Sequence, residues 1–181
     1  MSRIVFLSGE NLDLCVLDKN RHFDKCWQWI NSLKITEFMG SNGVFPVPLS
    51  KEQEWFDKQN TDDKNINLAL ETKEKKHIGN IGLHQIDWIA RHALAGIMIG
   101  EKEEWNKGYA TEAEKLLLHH AFSNLNLNRI YAHVVTENTA SVKAAEKAGF
   151  QKEGVLRQCV FKNNRYYDAF LLGILKEDWK N

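Results

Sequence analysis

The sequence is poor in most of the features that mark a special class of protein. It holds only two prolines in 181 residues, Pro46 and Pro48, so a Pro-rich linker or rod is excluded. Its three cysteines, Cys15, Cys26 and Cys159, are odd in number, far apart and never in a Cys-x-x-Cys. That speaks against a disulfide framework and a zinc site, and for a reducing compartment. Charge of one sign is missing too. Lys+Arg and Asp+Glu balance at 24 each, which argues against a polybasic nucleic-acid binder. No apolar run approaches the roughly 20 residues that span a bilayer, and the apolar run after Met1 is too short for a signal peptide. The expectation is a cytoplasmic chain with no membrane and no nucleic-acid partner. Neither Gly-x4-Gly-Lys-Ser/Thr nor Gly-x-Gly-x-x-Gly occurs, so triphosphate and dinucleotide sites have no support.

What is present is ordinary globular material: 43% hydrophobic and 27% charged residues, enough for a single domain over 1–181 with a sizeable core. No repeat or low-complexity tract interrupts it. Residues 3–17 read as one or two strand pieces, and 21–34 as a helix with Phe23, Cys26, Trp27 and Ile30 at helical spacing. The stretch from Gly40 to Pro48 is a loop. Ser50, with Gln53 three residues on, reads as a capping box opening a further helix. Three strands follow, over 65–71, 77–88 and 93–100, with turns at Asp62-Asp63-Lys64, Lys73–Lys76 and Ala90–His92. A helix over 108–124, a strand over 129–135, a helix over 138–148 and strands over 150–161 and 166–175 complete the chain. This is an α/β pattern: a mixed central sheet of about six or seven strands with helices on both faces.

Two segments carry chemistry. The first runs from Ile97 through Trp105-Asn106-Lys107-Gly108-Tyr109-Ala110-Thr111. A strand ends near Gly100, a polar loop follows, and a helix opens at about Gly108. The start of a helix offers backbone N–H groups without partners and about half a positive charge. Gly108 lets a bulky anion approach and small Ala110 keeps the first turn clear, so the loop suits a pyrophosphate without a metal. The second segment, Thr136-Glu137-Asn138 through Ser141 and Lys147-Ala148-Gly149-Phe150, follows the next strand. Asn138 reads as an N-cap and Gly149 as a helix stop.

Together these segments resemble the GNAT superfamily of N-acetyltransferases, in the branch of the ribosomal-protein N-terminal and spermidine acetyltransferases. The family motif Gln/Arg-x-x-Gly-x-Gly/Ala is matched by Trp105 to Ala110, and Asn-x-x-Ser/Ala-x5-Lys-x-Gly-Phe by Asn138, Ser141, Lys147, Gly149 and Phe150. Ile78–Gly82 and the hairpin from Glu153 to Asp168 are similar as well. The resemblance implies acetyl-CoA as cofactor and an amine as acceptor, in a monomer or homodimer. It implies that the backbone of Asn106, Lys107, Gly108, Tyr109, Ala110 and Thr111 holds the pyrophosphate. Ile97, Met98 and Ile99 would pair with the pantetheine arm, and Asn138, Ser141 and Lys147 would complete the cofactor site. Trp105 replaces the usual polar residue, losing one contact to a phosphate.

Amine acetylation by direct attack needs a base for the ammonium, a donor for the thioester oxygen and an acid for the leaving thiolate. The family's usual Tyr is here Ala145, and its usual strand Glu is Leu94, which leaves Ser141 as the acid candidate. His84, Asp87 and Glu101 are the base candidates, with a water chain as the alternative. Residues 21–60 carry five acidic and five basic side chains. A polyamine site calls for acidic excess, so a protein or peptide N-terminal amine is the first expectation. A small amine, amino sugar or amino acid stands beside it. A sensor that binds acetyl-CoA without turnover is the non-enzymatic alternative.

Overall fold

The computed structural model describes residues 3–40, 44–59, 61 and 63–180. Ser41, Asn42 and Gly43 of the expected loop and Asp62 of the expected turn lie outside the described residues. The N-terminal segment divides into β1 (Val5–Ser8) and β2 (Leu12–Val16). The Gly9 N–H bonds the Leu12 carbonyl at 2.9 Å and closes a tight turn between them. That division, with β3 (Ile66–Thr72), β4 (His77–Asp87), β5 (His92–Ile99), β6 (Arg129–Val135), β7 (Gln151–Lys162) and β8 (Arg165–Leu175), makes eight strands among the described residues.

The helices are α1 (Lys19–Ile30), α2 (Leu49–Asp57), α3 (Tyr109–His119) and α4 (Thr139–Ala148). Helix α1 starts two residues before the expected position because the Asp18 carboxylate accepts from the N–H groups of Asn20 and Arg21. The capping box at Ser50 does not form. Pro48, extended at φ −67° and ψ 155°, takes the cap position without a side-chain bond. Its carbonyl accepts from Lys51 and Glu52, and Ser50 falls inside the first turn. Helix α3 runs on into a wider π turn over His120–Asn124.

The sheet order is β1-β2-β3-β4-β5-β6-β8-β7. One face is covered by α3 and α4, whose Ala113, Leu117, Leu118, Ala145 and Ala148 join Leu12, Leu14, Leu70, Ile81 and Leu83 in the main core. The alternate strand residues face α1 and α2, where Cys26, Trp29 and Phe56 form a smaller cluster. Gly100 lies hard under α1: a Cβ there would sit 2.0 Å from the Trp29 ring. On the same face Glu71 is fully buried and accepts from Arg3 at 2.5 Å, Arg21 at 2.7 Å and His22 at 2.8 Å. Burial alone would raise the Glu71 pKa, but the bonds from His22, Arg21 and Arg3 hold it down at about 2.

Every neighbouring pair is antiparallel except β5–β6, which is parallel and short. It pairs His92–Leu94 with Arg129–Tyr131 and then stops.

Candidate active site

Past Leu94 and Tyr131 the sheet is split. Ala95–Ile99 of β5 and Ala132–Val135 of β6 continue as strands, held by β4 and β8 on their outer sides but not by each other. Both sides of the split line a cavity of about 730 Å³. Its walls come from both layers: Cys26, Glu52 and Trp55 on the α1/α2 side, Glu114, Asn138 and Ser141 on the α3/α4 side. The cavity therefore passes through the sheet.

The direction of the backbone groups follows from pleating. The Gly100 N–H bonds Ile78 on β4 at 2.8 Å. Amides two apart on a strand point the same way, so those of Met98 and Gly96 face β4 and those of Ile99, Ile97 and Ala95 face the split. Ile97 and Ile99 thus offer unpaired main chain to an extended ligand. Met98 does not, because its backbone is turned to its β4 partner Asn80. Its side chain instead lines the cavity and packs on the Cys26–Trp29–Phe56 cluster.

At the end of β5 the chain crosses to the start of α3. Gly108 takes φ +87° at the cap position, with no side-chain bond to the first amides and nothing within 4 Å of where a Cβ would lie. Asn106 also has positive φ, 62°. Asn106, Lys107 and Gly108 are exposed, and Tyr109, Ala110 and Thr111 half-buried. The first N–H groups of a helix have no intrahelical acceptor, so this end suits an anion. The Thr111 hydroxyl leans on the Ala144 carbonyl of α4 at 3.4 Å. Trp105 ties the loop down: its indole N–H donates to the Ile99 carbonyl at 2.9 Å. The indole thereby occupies the last acceptor of the split edge.

Across the split, Asn138 caps α4 by accepting from the Ser141 N–H at 3.2 Å. Both line the cavity, and the Ser141 hydroxyl has no bonding partner among the described residues. Lys147 stands apart, exposed in the last turn of α4 and distant from Asn138.

The base candidates separate cleanly. His84 lines the cavity, and a Cβ on Gly96 would meet its Nε2 at 3.4 Å. Its ring has no hydrogen-bond partner among the described residues, and burial lowers its pKa below 6.5. Asp87 is exposed and away from the cavity. Its carboxylate accepts from Ile89 at 2.9 Å and Ala90 at 2.7 Å, closing the β4–β5 turn. Glu101 is paired with Lys25 at 2.7 Å and does not line the cavity. Leu94 lines it and Ala145 is core.

Sequence reasoning missed two carboxyls. Glu52 and Glu114 both line the cavity at 6% and 8% exposure. Glu114 lies between Ala113 and Leu117 on a face that reads as core, and only its charge could have flagged it.

A sheet parted between its central parallel strands, with an uncapped helix start beside the gap, is the arrangement of the GNAT class of acyltransferase fold. Residues 16–151 match the acetyltransferase (GNAT) domain family, and the chain belongs to it. The spermidine N(1)-acetyltransferase of Vibrio cholerae is 33% identical over 129 residues, 71% of this chain and 74% of that protein. N-acetyltransferase p20 of Bacillus licheniformis is 39% identical over 62% of this chain, and that match spans only 61% of the relative's length. Among solved structures, spermidine N-acetyltransferase from Vibrio cholerae in complex with CoA and spermine superposes with a TM-score of 0.86. The sequence identity is 28%, over 94% of this chain and 98% of that one.

Proposed function

We propose that the chain is an acetyl-CoA-dependent N-acetyltransferase that moves acetyl to a primary amine by direct attack in a ternary complex. The observation that carries this reading is the split between β5 and β6, open through both layers and bordered by the free amides of α3. The cofactor supplies an activated acetyl thioester. The amides of Gly108 to Thr111 hold its pyrophosphate, Ile97 and the Ile99 N–H pair with its arm, and Asn138 closes the other side. His84 takes the proton of the acceptor ammonium, and Ser141 donates to the departing thiolate.

The acceptor reaches His84 from the α1/α2 side. Of the ten charged residues in 21–60, only Lys51 and Glu52 line the cavity, so the even charge count of that segment says little about the site. The buried Glu52 carboxyl, raised by burial, favours a small cationic amine, in line with the similarity to a spermidine acetyltransferase. A peptide N-terminus is the second reading, supported by 33% identity over 102 residues to the putative ribosomal N-acetyltransferase YdaF of Bacillus subtilis.

The test is calorimetric titration of acetyl-CoA into the protein and into Gly108→Trp, followed by thiol release with spermidine and with a free-amine tripeptide. Micromolar binding by the wild type alone, and turnover with spermidine, is expected. Turnover with the peptide alone selects the second reading. Binding without turnover on any amine leaves a sensor, and no binding by folded wild type ends the assignment.

A further inference from the structure

Among the described residues, Glu52 and Glu114 are the buried carboxyls without an ion pair, and of the two Glu114 alone has a buried oxygen with no hydrogen-bond partner. Glu71 has three basic partners, Asp13 has Arg3 and Lys73, and Glu104 has Lys76 and Lys107. Glu114 pairs with no basic side chain among the described residues, and its Oε2 is buried with no hydrogen-bond partner there. It stands in the second turn of α3, on a wall of the split with Ile97, Asn138 and Ser141. Burial pushes its carboxyl up to about 8. An unsatisfied buried polar group costs about 1–3 kcal/mol. The neighbouring α3 positions Ala113, Leu117 and Leu118 show what packing alone selects on this face.

Position along the helix says what the carboxyl meets. Glu114 lies six residues beyond Gly108, about 9 Å down the helix axis. A ligand with its phosphates at the α3 N-terminus and its arm in the split passes Glu114 with the arm. That arm contains secondary amides, each with one donor and one acceptor. A carboxylic acid presents the complementary pair, and in the split the alternative partner, water, is displaced.

We propose that Glu114 is a positioning residue for the cofactor, pairing through its carboxyl with an amide of the pantetheine arm where the arm crosses the sheet. This rests on the acetyl-CoA reading above, and it assigns to Glu114 a part of the affinity that the nucleotide half does not share.

The experiment measures binding of two probes, CoA and 3′-phospho-ADP, to wild type, Glu114→Leu and Glu114→Gln, with melting of each free protein. Leu should weaken CoA binding about ten-fold, the effect of one buried hydrogen bond. It should leave 3′-phospho-ADP unchanged and raise the melting temperature, since an unpaired carboxyl is replaced by an apolar chain. Gln, which keeps a donor and an acceptor, should stay within about three-fold of wild type for CoA. The proposal is overturned if Glu114→Leu binds CoA as wild type does, if it loses both probes equally, or if Gln falls as far as Leu. A wild type that binds neither probe removes the acetyl-CoA reading itself, and this proposal with it.

Discussion

A base that takes a proton from an ammonium must be unprotonated at working pH and within reach of it. Burial lowers the His84 pKa below 6.5, so with His84 as the proposed base the ring should be neutral at pH 7 and the acid limb of kcat/KM is expected below 6.5. His84→Gln is expected to cut kcat by about 10²–10⁴-fold and to abolish that limb. An unchanged pH profile would move the role to water. Asp87→Asn should leave kcat within about two-fold, since a carboxylate that closes a turn acts on local stability alone. Trp105→Phe tests the tie to Ile99. Loss of one hydrogen bond is expected to weaken CoA binding about two- to ten-fold, read by calorimetry, with kcat nearly unchanged. At this scale the sequence was legible where backbone chemistry demands a residue type. Gly108 and Ala110 stand at a helix start, and Asn138 at a cap. It was illegible where the roles depend on pleat. Met98 lies between two residues whose main chain faces the split while its own main chain turns to Asn80 on β4, and no motif shows that parity until β5 has a partner. Glu114 was hidden for the opposite reason, being one polar side chain in an apolar periodicity.

Elements are where the sequence spoke most clearly. Residues 129–135 alternate strictly and form β6 over the same span. The α4 boundaries follow from Asn138 and Gly149. Failures came where two local signals compete. Ser50 has the capping hydroxyl, but Pro48 has φ already fixed and a carbonyl that accepts from Lys51 and Glu52, and the helix starts just after the proline. Residues 3–17 have too few alternations to show where one strand folds back on the next. The docking of α1 on the sheet rests on close approach at Gly100. Gly100→Ala would drive a methyl group into the Trp29 ring, which is only 5% exposed and has nowhere to go. A loss of about 1–3 kcal/mol is expected, measured by denaturant melting. Unaltered stability would mean that α1 slides freely on β5.

For the molecule as a whole, the buried charges near β1–β3 set its response to acid. Glu71 ionises at about 2 in the folded chain against 4.5 ordinarily. The unfolded chain therefore takes up the proton first, and the stability is whole above about 4.5 and is lost as pH falls toward 2. His77, which burial holds at about 4 instead of 6.5, acts in the same direction between 6.5 and 4. The melting temperature should therefore fall in two stages below pH 6.5. Glu71→Gln should shrink the lower stage while lowering stability at pH 7, the remainder coming from Asp13, whose bonds to Arg3, Lys73 and Ser8 likewise hold it at about 2, and a flat profile for the wild type would contradict both assignments. The pattern of helices and strands announced the α/β sandwich. It could not announce the gap in the sheet, because β5 and β6 both read as complete strands and only their mutual register shows that pairing stops. That three-residue seam makes the free protein two half-sheets joined like a book at its spine. A ligand lying in the gap takes the place of the missing rungs, so loading should slow deuterium uptake at the Ala95, Ile97 and Ile99 amides. By the proposed reading the ligand would serve as one more strand, and the free protein is expected to be cut faster by proteases than the loaded one.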